Sequence, residues 1–296
     1  MEGDRDRDRD MERINTLVIN LDDYRVNFYK QKPHLEAVGL APIRWTGINA
    51  LKNEHLKYKK HISTMAQYFT PKSCIGCGLS HILLANWLND IIFEKKYIVN
   101  IIDQDGYFLF MEDDAYPVEK FNSPDTFKRE LWKTIKEIEL LDPSWDIIQL
   151  HRDGPIVSDK TYHAHYFCSS TAAYLLSPKG IRKLAREKVS NHIDLTTQNP
   201  IRYNKYSSRE NMFYTDEKSS LNRGYIRGLN SISLLAKKTV LEKFTNIALR
   251  GEKDWGHILG FNFLRIPVLD KNITLSNFFD MVLFLTLAKS IKKYYV

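Results

Sequence analysis

Cysteine is scarce in this chain, with three residues among 296. Three thiols give no disulfide framework, and Cys74-Ile-Gly-Cys77 has no second CxxC pair with which to build a zinc site. The segment also lacks the preceding strand that a thioredoxin-like motif would need. We therefore interpret Cys74, Cys77 and Cys168 as inert thiols in a reducing compartment, which predicts a cytoplasmic location.

Long apolar runs are also missing, because no stretch reaches the roughly 18 apolar residues that a transmembrane helix requires. The densest apolar segment lies within residues 276–296 and is followed closely by Lys289, Lys292 and Lys293. Two interpretations stay open for it. One is a core or dimer-interface helix, and the other is a peripheral membrane anchor whose lysines attract anionic lipid.

Basic residues are plentiful but are not concentrated in one helix or arm. The formal net charge is +7 and the pI is about 9.1. An aromatic-glycine RNA-binding motif is absent from the sequence, so nucleic acid is not an expected partner. The positive charge instead favours an anionic substrate such as a nucleotide, or an anionic membrane surface.

The chain divides into three segments by composition. Residues 1–12 alternate Asp with Arg, and such low complexity predicts a disordered leader. Residues 13–235 contain no repeat and no long linker, which predicts one catalytic domain. Residues 236–296 have weaker patterns and are predicted to form a helical C-terminal tail.

Strand and helix patterns alternate along the predicted domain. This order predicts an α/β fold with a mostly parallel central sheet flanked by helices. The predicted strands are Ile14–Leu21, a short segment within 41–50, Tyr107–Met111, Trp145–Leu150 and the segment before Ser177; the predicted helices cover about 23–38, 78–94, 124–140 and the segment after Ser177.

Three carboxylates follow the apolar strand Tyr107–Met111 directly. If the backbone stays extended, Glu112 and Asp114 project to one side and Asp113 to the other. Strand ends of this kind face the ligand crevice of an open α/β sheet. Oxygen ligands suit Mg²⁺ or Mn²⁺, so the sequence predicts a divalent cation here, although a solvated acidic loop would look similar.

Five segments, in order, resemble glycosyltransferase family 25, which includes bacterial lipooligosaccharide β-galactosyltransferases and collagen galactosyltransferases. They are TLVINLDDYR, GCGLSHILLANW, YFLFMEDDA, STAAYLLSPKGIRKL and HID. The resemblance spans about residues 14–200 and, as an ordered set, is fairly specific. It implies a GT-A-type nucleotide-sugar-binding fold, a UDP-sugar donor, Mn²⁺ or Mg²⁺, and a role in glycan biosynthesis such as that of lipopolysaccharide.

The resemblance also implies roles for individual residues. Glu112 and Asp114 stand where the family has its DxD-type metal motif, and His257 is a candidate third ligand from the C-terminal side. Asp113 would reach the donor ribose or sugar.

The remaining implied roles concern the nucleotide and the acceptor. Asn20, Arg25, Ser80 and His81 would border the nucleotide, and Asp194 matches the family's candidate general base. The family often has a second arginine where this chain has Phe28, which leaves the nucleotide contacts open.

Together these features predict a metal-dependent inverting glycosyltransferase that moves a hexose such as galactose from UDP to a glycan or hydroxylated acceptor. One alternative is a metal-dependent phosphohydrolase or nuclease, which would need more clustered ligands. The other is a non-catalytic relative that binds a glycan or a partner.

Overall fold

A computed structural model of the protein describes residues 14–95, 102–104, 106–152, 170–197, 199, 201–216, 262–266, 271–274, 282 and 285. The predicted leader at 1–12 lies outside these residues. The described strands are β1 (Ile14–Asn20), β2 (Pro42–Thr46), β3 (Tyr107–Glu112), β4 (Ala115–Pro117), β5 (Ile147–Gln149), β6 (Ala173–Leu176), β7 (Lys205–Ser207), β8 (Phe213–Thr215), β9 (Asn262–Ile266) and β10 (Lys271–Thr274). The described α-helices are α1 (Arg25–Ala37), α2 (Thr64–Phe69), α3 (Lys72–Ile92), α4 (Pro124–Leu141), α5 (Pro178–Ala185) and α6 (Ile193–Thr197).

Six strands form the central sheet in the order β2-β1-β3-β6-β5-β7. Every neighbouring pair is parallel except the two pairs that involve β6, which runs antiparallel to β3 and to β5. The prediction of a mixed α/β fold with a mostly parallel sheet is confirmed. All seven residues of β1 are buried, as expected for a central strand that is covered by helices on both faces.

Helices cover the sheet on both sides, and alternate residues of each strand face opposite cores. The first core joins α1 and α4 to one face of the sheet; its members include Val18, Phe28, Leu35, Leu109, Phe127, Leu131, Ile135 and Ile148. The second core joins α3 and α5 to the other face; its members include Leu17, Ile75, Leu79, Ile82, Phe108, Phe110, Tyr174, Ile181 and Leu184. Each fully buried side chain of this kind contributes about 1.5–3 kcal/mol. Phe28, at the position of the family's second arginine, is thus a core residue.

Helix α3 begins at Lys72, six residues before the predicted start at Gly78. Gly76 and Gly78 permit close packing of the first turns of this helix. A Cβ on Gly76 would lie 2.6 Å from the Ile48 carbonyl oxygen, and a Cβ on Gly78 would lie 3.1 Å from a methyl carbon of Val189. Gly76 therefore brings the first turns of α3 against the loop that follows β2.

Helix α5 is fixed to the sheet by its first turn, as the predicted Ser-Pro start indicated. The Ser177 hydroxyl accepts a hydrogen bond from the Gly180 amide at 3.1 Å, and Pro178 occupies the first position. A Cβ on Gly180 would meet the Asp146 carbonyl oxygen at 2.2 Å. The buried Asp146 carboxylate lies 2.5 Å from the Lys183 ammonium, so the same helix supplies the counter-charge.

The tail is not wholly helical, contrary to the prediction for 236–296. Strands β9 and β10 form an antiparallel pair within it, while Val282 and Leu285 have helical backbone. Arg265 of β9 is buried and donates to the backbone carbonyls of Gln67 and Tyr68, which anchors this pair to α2. Among the described residues, none of the helices is long and apolar enough to cross a membrane. Peripheral membrane contact through 276–296 stays a prediction.

Candidate functional site

A cavity of about 290 Å³ opens beyond the carboxyl ends of β1 and β3. Its walls come from the turn after β1, the segment 48–51, the first turns of α3 and the carboxylates at 112–114. This is the edge of an open α/β sheet at which ligands usually bind. The cavity therefore lies where the sequence predicted the substrate site.

The acidic triplet lines this cavity with all three of its members. Strand β3 ends at Glu112, and Asp113 and Asp114 form a turn before β4. The prediction that extended backbone sends Asp113 to the opposite side is wrong, because the strand ends at Glu112 and Asp113 begins the turn. Gln31 holds the turn in place, since its amide donates to the carbonyl oxygens of Glu112 at 2.8 Å and Ala115 at 2.5 Å.

Asp113 is positioned by two side-chain amides from the first strand and helix. Asn20 donates to its carboxylate at 2.5 Å and Asn27 at 3.4 Å. Burial nevertheless raises the pKa of Asp113 above its ordinary value, because these two hydrogen bonds compensate only in part and Glu112 adds negative charge nearby. The orientation of this carboxylate is therefore set by the protein.

Asp114 has the least compensated charge in the cavity. Its Oδ1 atom is buried and has no hydrogen-bond partner among the described residues. Burial, followed by the neighbouring Glu112 and Asp113 carboxylates, raises the pKa of Asp114 to about 8. Three acidic groups in one cavity, one of them with an orphaned oxygen, form a donor set that a hard divalent cation fits.

Glu112, the last residue of β3, contacts side chains from α3 and from the segment that precedes β6. Its Oε1 atom lies 2.9 Å from the Thr171 hydroxyl, 3.4 Å from His81 Nε2 and 3.8 Å from Cys77 Sγ. His81 is fully buried, and its Nδ1 atom lies 2.8 Å from the Tyr174 hydroxyl. Burial, with Glu112 close by, raises the pKa of the Cys77 thiol well above its ordinary value, which agrees with an inert thiol while no metal is bound.

Thr171 connects Glu112 to Asp194, the predicted general base. Its hydroxyl lies 2.7 Å from Asp194 Oδ1, and Asp194 Oδ2 lies 3.0 Å from His192 Nδ1. Burial disfavours the Asp194 carboxylate, but His192 and the Thr171 hydrogen bond together hold its pKa below the ordinary value. Burial likewise disfavours protonation of His192, yet Asp194 raises its pKa. His192 is buried in this pair.

Two of the predicted nucleotide-binding residues use their polar groups within the protein. Asn20 donates to the Tyr24 carbonyl at 2.8 Å as well as to Asp113, and accepts from Arg44 at 2.7 Å. Ser80 lines the cavity, but its hydroxyl donates to the Gly76 carbonyl at 2.7 Å and accepts from a backbone amide. In this arrangement both residues position the walls of the cavity.

Arg25 and His257 are not brought into the cavity by the described structure. Arg25 has a side chain that is 60% exposed and pairs with Asp22 at 3.0 Å. His257 lies outside the described residues. Cys77 and Asn27, which both line the cavity, were not predicted as site residues. The four-residue spacing of Cys77 and His81 is the signal that could have revealed their shared helical face.

No protein-family model and no curated protein matches the chain. Among solved structures, it is similar to one described as a crystal structure of a glycosyltransferase involved in the glycosylation of the major capsid of PBCV-1, at 12% identity and a TM-score of 0.29. The alignment covers 58% of this chain and spans 63% of that one. Likeness at this level does not establish a family, so membership in glycosyltransferase family 25 stays a prediction.

Proposed function

We propose that the protein is a metal-dependent inverting glycosyltransferase with a GT-A-type fold, which transfers a hexose from a UDP-sugar to a glycan or other hydroxylated acceptor. The observation that carries this proposal is the acidic cavity beyond β1 and β3, with a buried Asp114 oxygen that has no partner among the described residues. The proposed reaction and the UDP-sugar donor come from the ordered motifs that resemble glycosyltransferase family 25.

In this proposal Glu112 and Asp114 hold the cation, and Asp113 reaches toward the donor. The metal, as Mn²⁺ or Mg²⁺, would supply charge neutralisation at the donor diphosphate. The chain's own contribution is orientation, because Asn20 and Asn27 fix Asp113 and Gln31 fixes the turn. Such preorganised charges lower a barrier without reorganising during the reaction.

Asp194 is the proposed general base. The acceptor hydroxyl oxygen would form the new bond to the anomeric carbon as the bond to the UDP oxygen breaks, and the Asp194 carboxylate would take the acceptor proton. The contact with His192 keeps Asp194 ionised at neutral pH. The Thr171 hydroxyl contacts both Asp194 and Glu112, which supports a base next to the metal in this proposal.

Thermal unfolding with Mn²⁺ and UDP tests the proposal. Both ligands together should raise the melting temperature of the wild-type protein, since ligands that bind only the folded state stabilise it. Asp114→Asn should lose this shift and the hydrolysis of UDP-sugars, whereas Asp22→Asn, which removes an exposed carboxylate outside the cavity, should keep both. A wild-type protein with neither a shift nor hydrolysis of any UDP-sugar would contradict the proposal. Cleavage of nucleotides or DNA without a sugar acceptor would favour a phosphohydrolase instead.

A further inference from the structure

We propose that Cys77, His81 and Glu112 form a second kind of metal site, for a thiophilic divalent cation of the Zn²⁺ class, with its remaining coordination position facing the cavity. The thiol sulfur, an imidazole nitrogen and a carboxylate oxygen of these residues all lie within 4.8 Å of one another. Among the residues that the structure describes, this is the group of three His, Cys, Asp or Glu side chains whose ligand atoms are all this close together.

The backbone brings these ligands together in a simple way. Cys77 and His81 are one helical turn apart on α3, so their side chains lie on the same face of the helix. Glu112 approaches this face from the end of β3. All three residues line the cavity, which leaves space beside them for a water or substrate atom.

The distances between ligand atoms agree with tetrahedral zinc. Bond lengths of about 2.3 Å to sulfur and about 2.0–2.1 Å to nitrogen and oxygen separate tetrahedral ligand atoms by roughly 3.3–3.6 Å. Glu112 Oε1 lies 3.4 Å from His81 Nε2 and 3.8 Å from Cys77 Sγ. These two distances differ from the tetrahedral values by no more than a few tenths of an ångström, and the third pair, Cys77 Sγ and the His81 ring nitrogen, lies within 4.8 Å.

Neighbouring side chains already orient the ligands. The Tyr174 hydroxyl lies 2.8 Å from His81 Nδ1, which leaves Nε2 to face Glu112. His81 Nε2 is buried and has no hydrogen-bond partner among the described residues. The Thr171 hydroxyl lies 2.9 Å from Glu112 Oε1 on the other side. A histidine that is oriented through its far nitrogen and a carboxylate that receives a hydrogen bond are the usual surroundings of metal ligands.

This set of donors differs from the oxygen-only set proposed for the donor metal. Thiolate selects zinc-like ions, whereas Mg²⁺ and Mn²⁺ prefer oxygen. The proposal therefore does not depend on glycosyl transfer. Both proposed sites use Glu112, however, so its carboxylate cannot bind both metal ions in the same way at the same time. Binding at the thiophilic site would release the Cys77 thiol proton to solvent, so binding should weaken as the pH falls.

Cobalt is a suitable probe, because Co²⁺ substitutes for Zn²⁺ and absorbs light when it is bound to thiolate. The chelator-treated full chain is titrated with Co²⁺, and Zn²⁺ is then added to displace it. We expect a thiolate-to-cobalt charge-transfer band in the wild type that Zn²⁺ abolishes. Cys77→Ser should lose this band, and His81→Gln should bind Co²⁺ at least about tenfold more weakly.

Cys74→Ser is the matched control, since Cys74 is a buried cysteine on the same helix that is outside the group of three ligands. It should keep the band at wild-type intensity. Circular dichroism of each variant shows whether it is folded. If one variant is unfolded, the titration of the wild type with Co²⁺ and its displacement by Zn²⁺ still decide the outcome. A wild-type protein without the band overturns the proposal, as does a band that persists in Cys77→Ser. Neither result would alter the rise in melting temperature that Mn²⁺ and UDP should cause, so the two proposals can fail separately.

Discussion

Replacement of Asp114 by asparagine should stabilise the metal-free protein, by an amount that grows as the pH rises. The ordinary pKa of 3.8 is raised to about 8 in the cavity. Between these values the folded protein keeps a proton that the unfolded chain has released, so the free energy of unfolding falls as the pH rises. Asparagine has no charge to bury and should escape this loss.

The structure sets the size of this effect. One proton corresponds to about 1.4 kcal/mol for each pH unit, which gives a ceiling of about 5 kcal/mol at pH 8. Part of Asp114 reaches the cavity, where water screens the Glu112 and Asp113 charges. We therefore expect a gain of roughly 1–3 kcal/mol at pH 8 and almost none at pH 4.

Urea unfolding of the wild type and of Asp114→Asn, in the presence of a chelator at pH 5, 6, 7 and 8, measures this gain. Asp22→Asn is the control, because Arg44 and Arg25 lower the pKa of Asp22 and its replacement should not stabilise the protein at any of these pH values. A gain for Asp114→Asn that is the same at pH 5 and pH 8 would refute the reasoning. Added Mn²⁺ should stabilise the wild type most at pH 8 and leave the variant nearly unchanged.

Other substitutions test the packing that builds the site. Gly76→Ala should destabilise the protein by about 2–3 kcal/mol, because its Cβ would meet a backbone carbonyl that cannot move aside, whereas Gly78→Ala meets only a side chain and should cost under about 1 kcal/mol in the same urea assay. Equal losses would show that the first turns of α3 are not held by this contact. Lys183→Met should cost about 3 kcal/mol by leaving the buried Asp146 carboxylate without its close cation. Lys179→Met should cost under about 1 kcal/mol, because the Lys179 side chain is 49% exposed and its ammonium lies 3.7 Å from Asp146. A small loss in Lys183→Met would mean that the backbone amide bonded to Asp146 compensates its charge.

The parts of the fold that the sequence predicted well depend on local signals. Helix α4 begins with a Ser123 cap and Pro124 at the first position and ends within one residue of the predicted boundary. The alternation of buried strands and amphipathic helices was enough to predict a mostly parallel sheet. These features follow from residues a few positions apart, which a sequence displays directly.

The parts that the sequence could not show depend on contacts between distant residues. Gly76 looks like a helix breaker until the loop after β2 is packed against it. The link from Glu112 through Thr171 to Asp194 joins residues from three distant parts of the chain, and no local pattern indicates it. The triplet itself was recognised, but the turn after Glu112 changes the direction of Asp113. The strand pair in the tail was likewise missed where the local signals are weak.

The pairing of β1 with β3 has a consequence for the kinetics of folding. Ile14 pairs with Tyr107, and Asn20 reaches Asp113 across 93 positions of the chain. Closing such a long loop costs entropy before the strands gain their contacts, so parallel pairing of this kind is slow. The acidic cavity exists only once this pairing has formed, and a nascent chain that stops before residue 107 lacks β3 altogether. The time at which newly made protein first binds its ligand would therefore report when the β1–β3 pairing is complete.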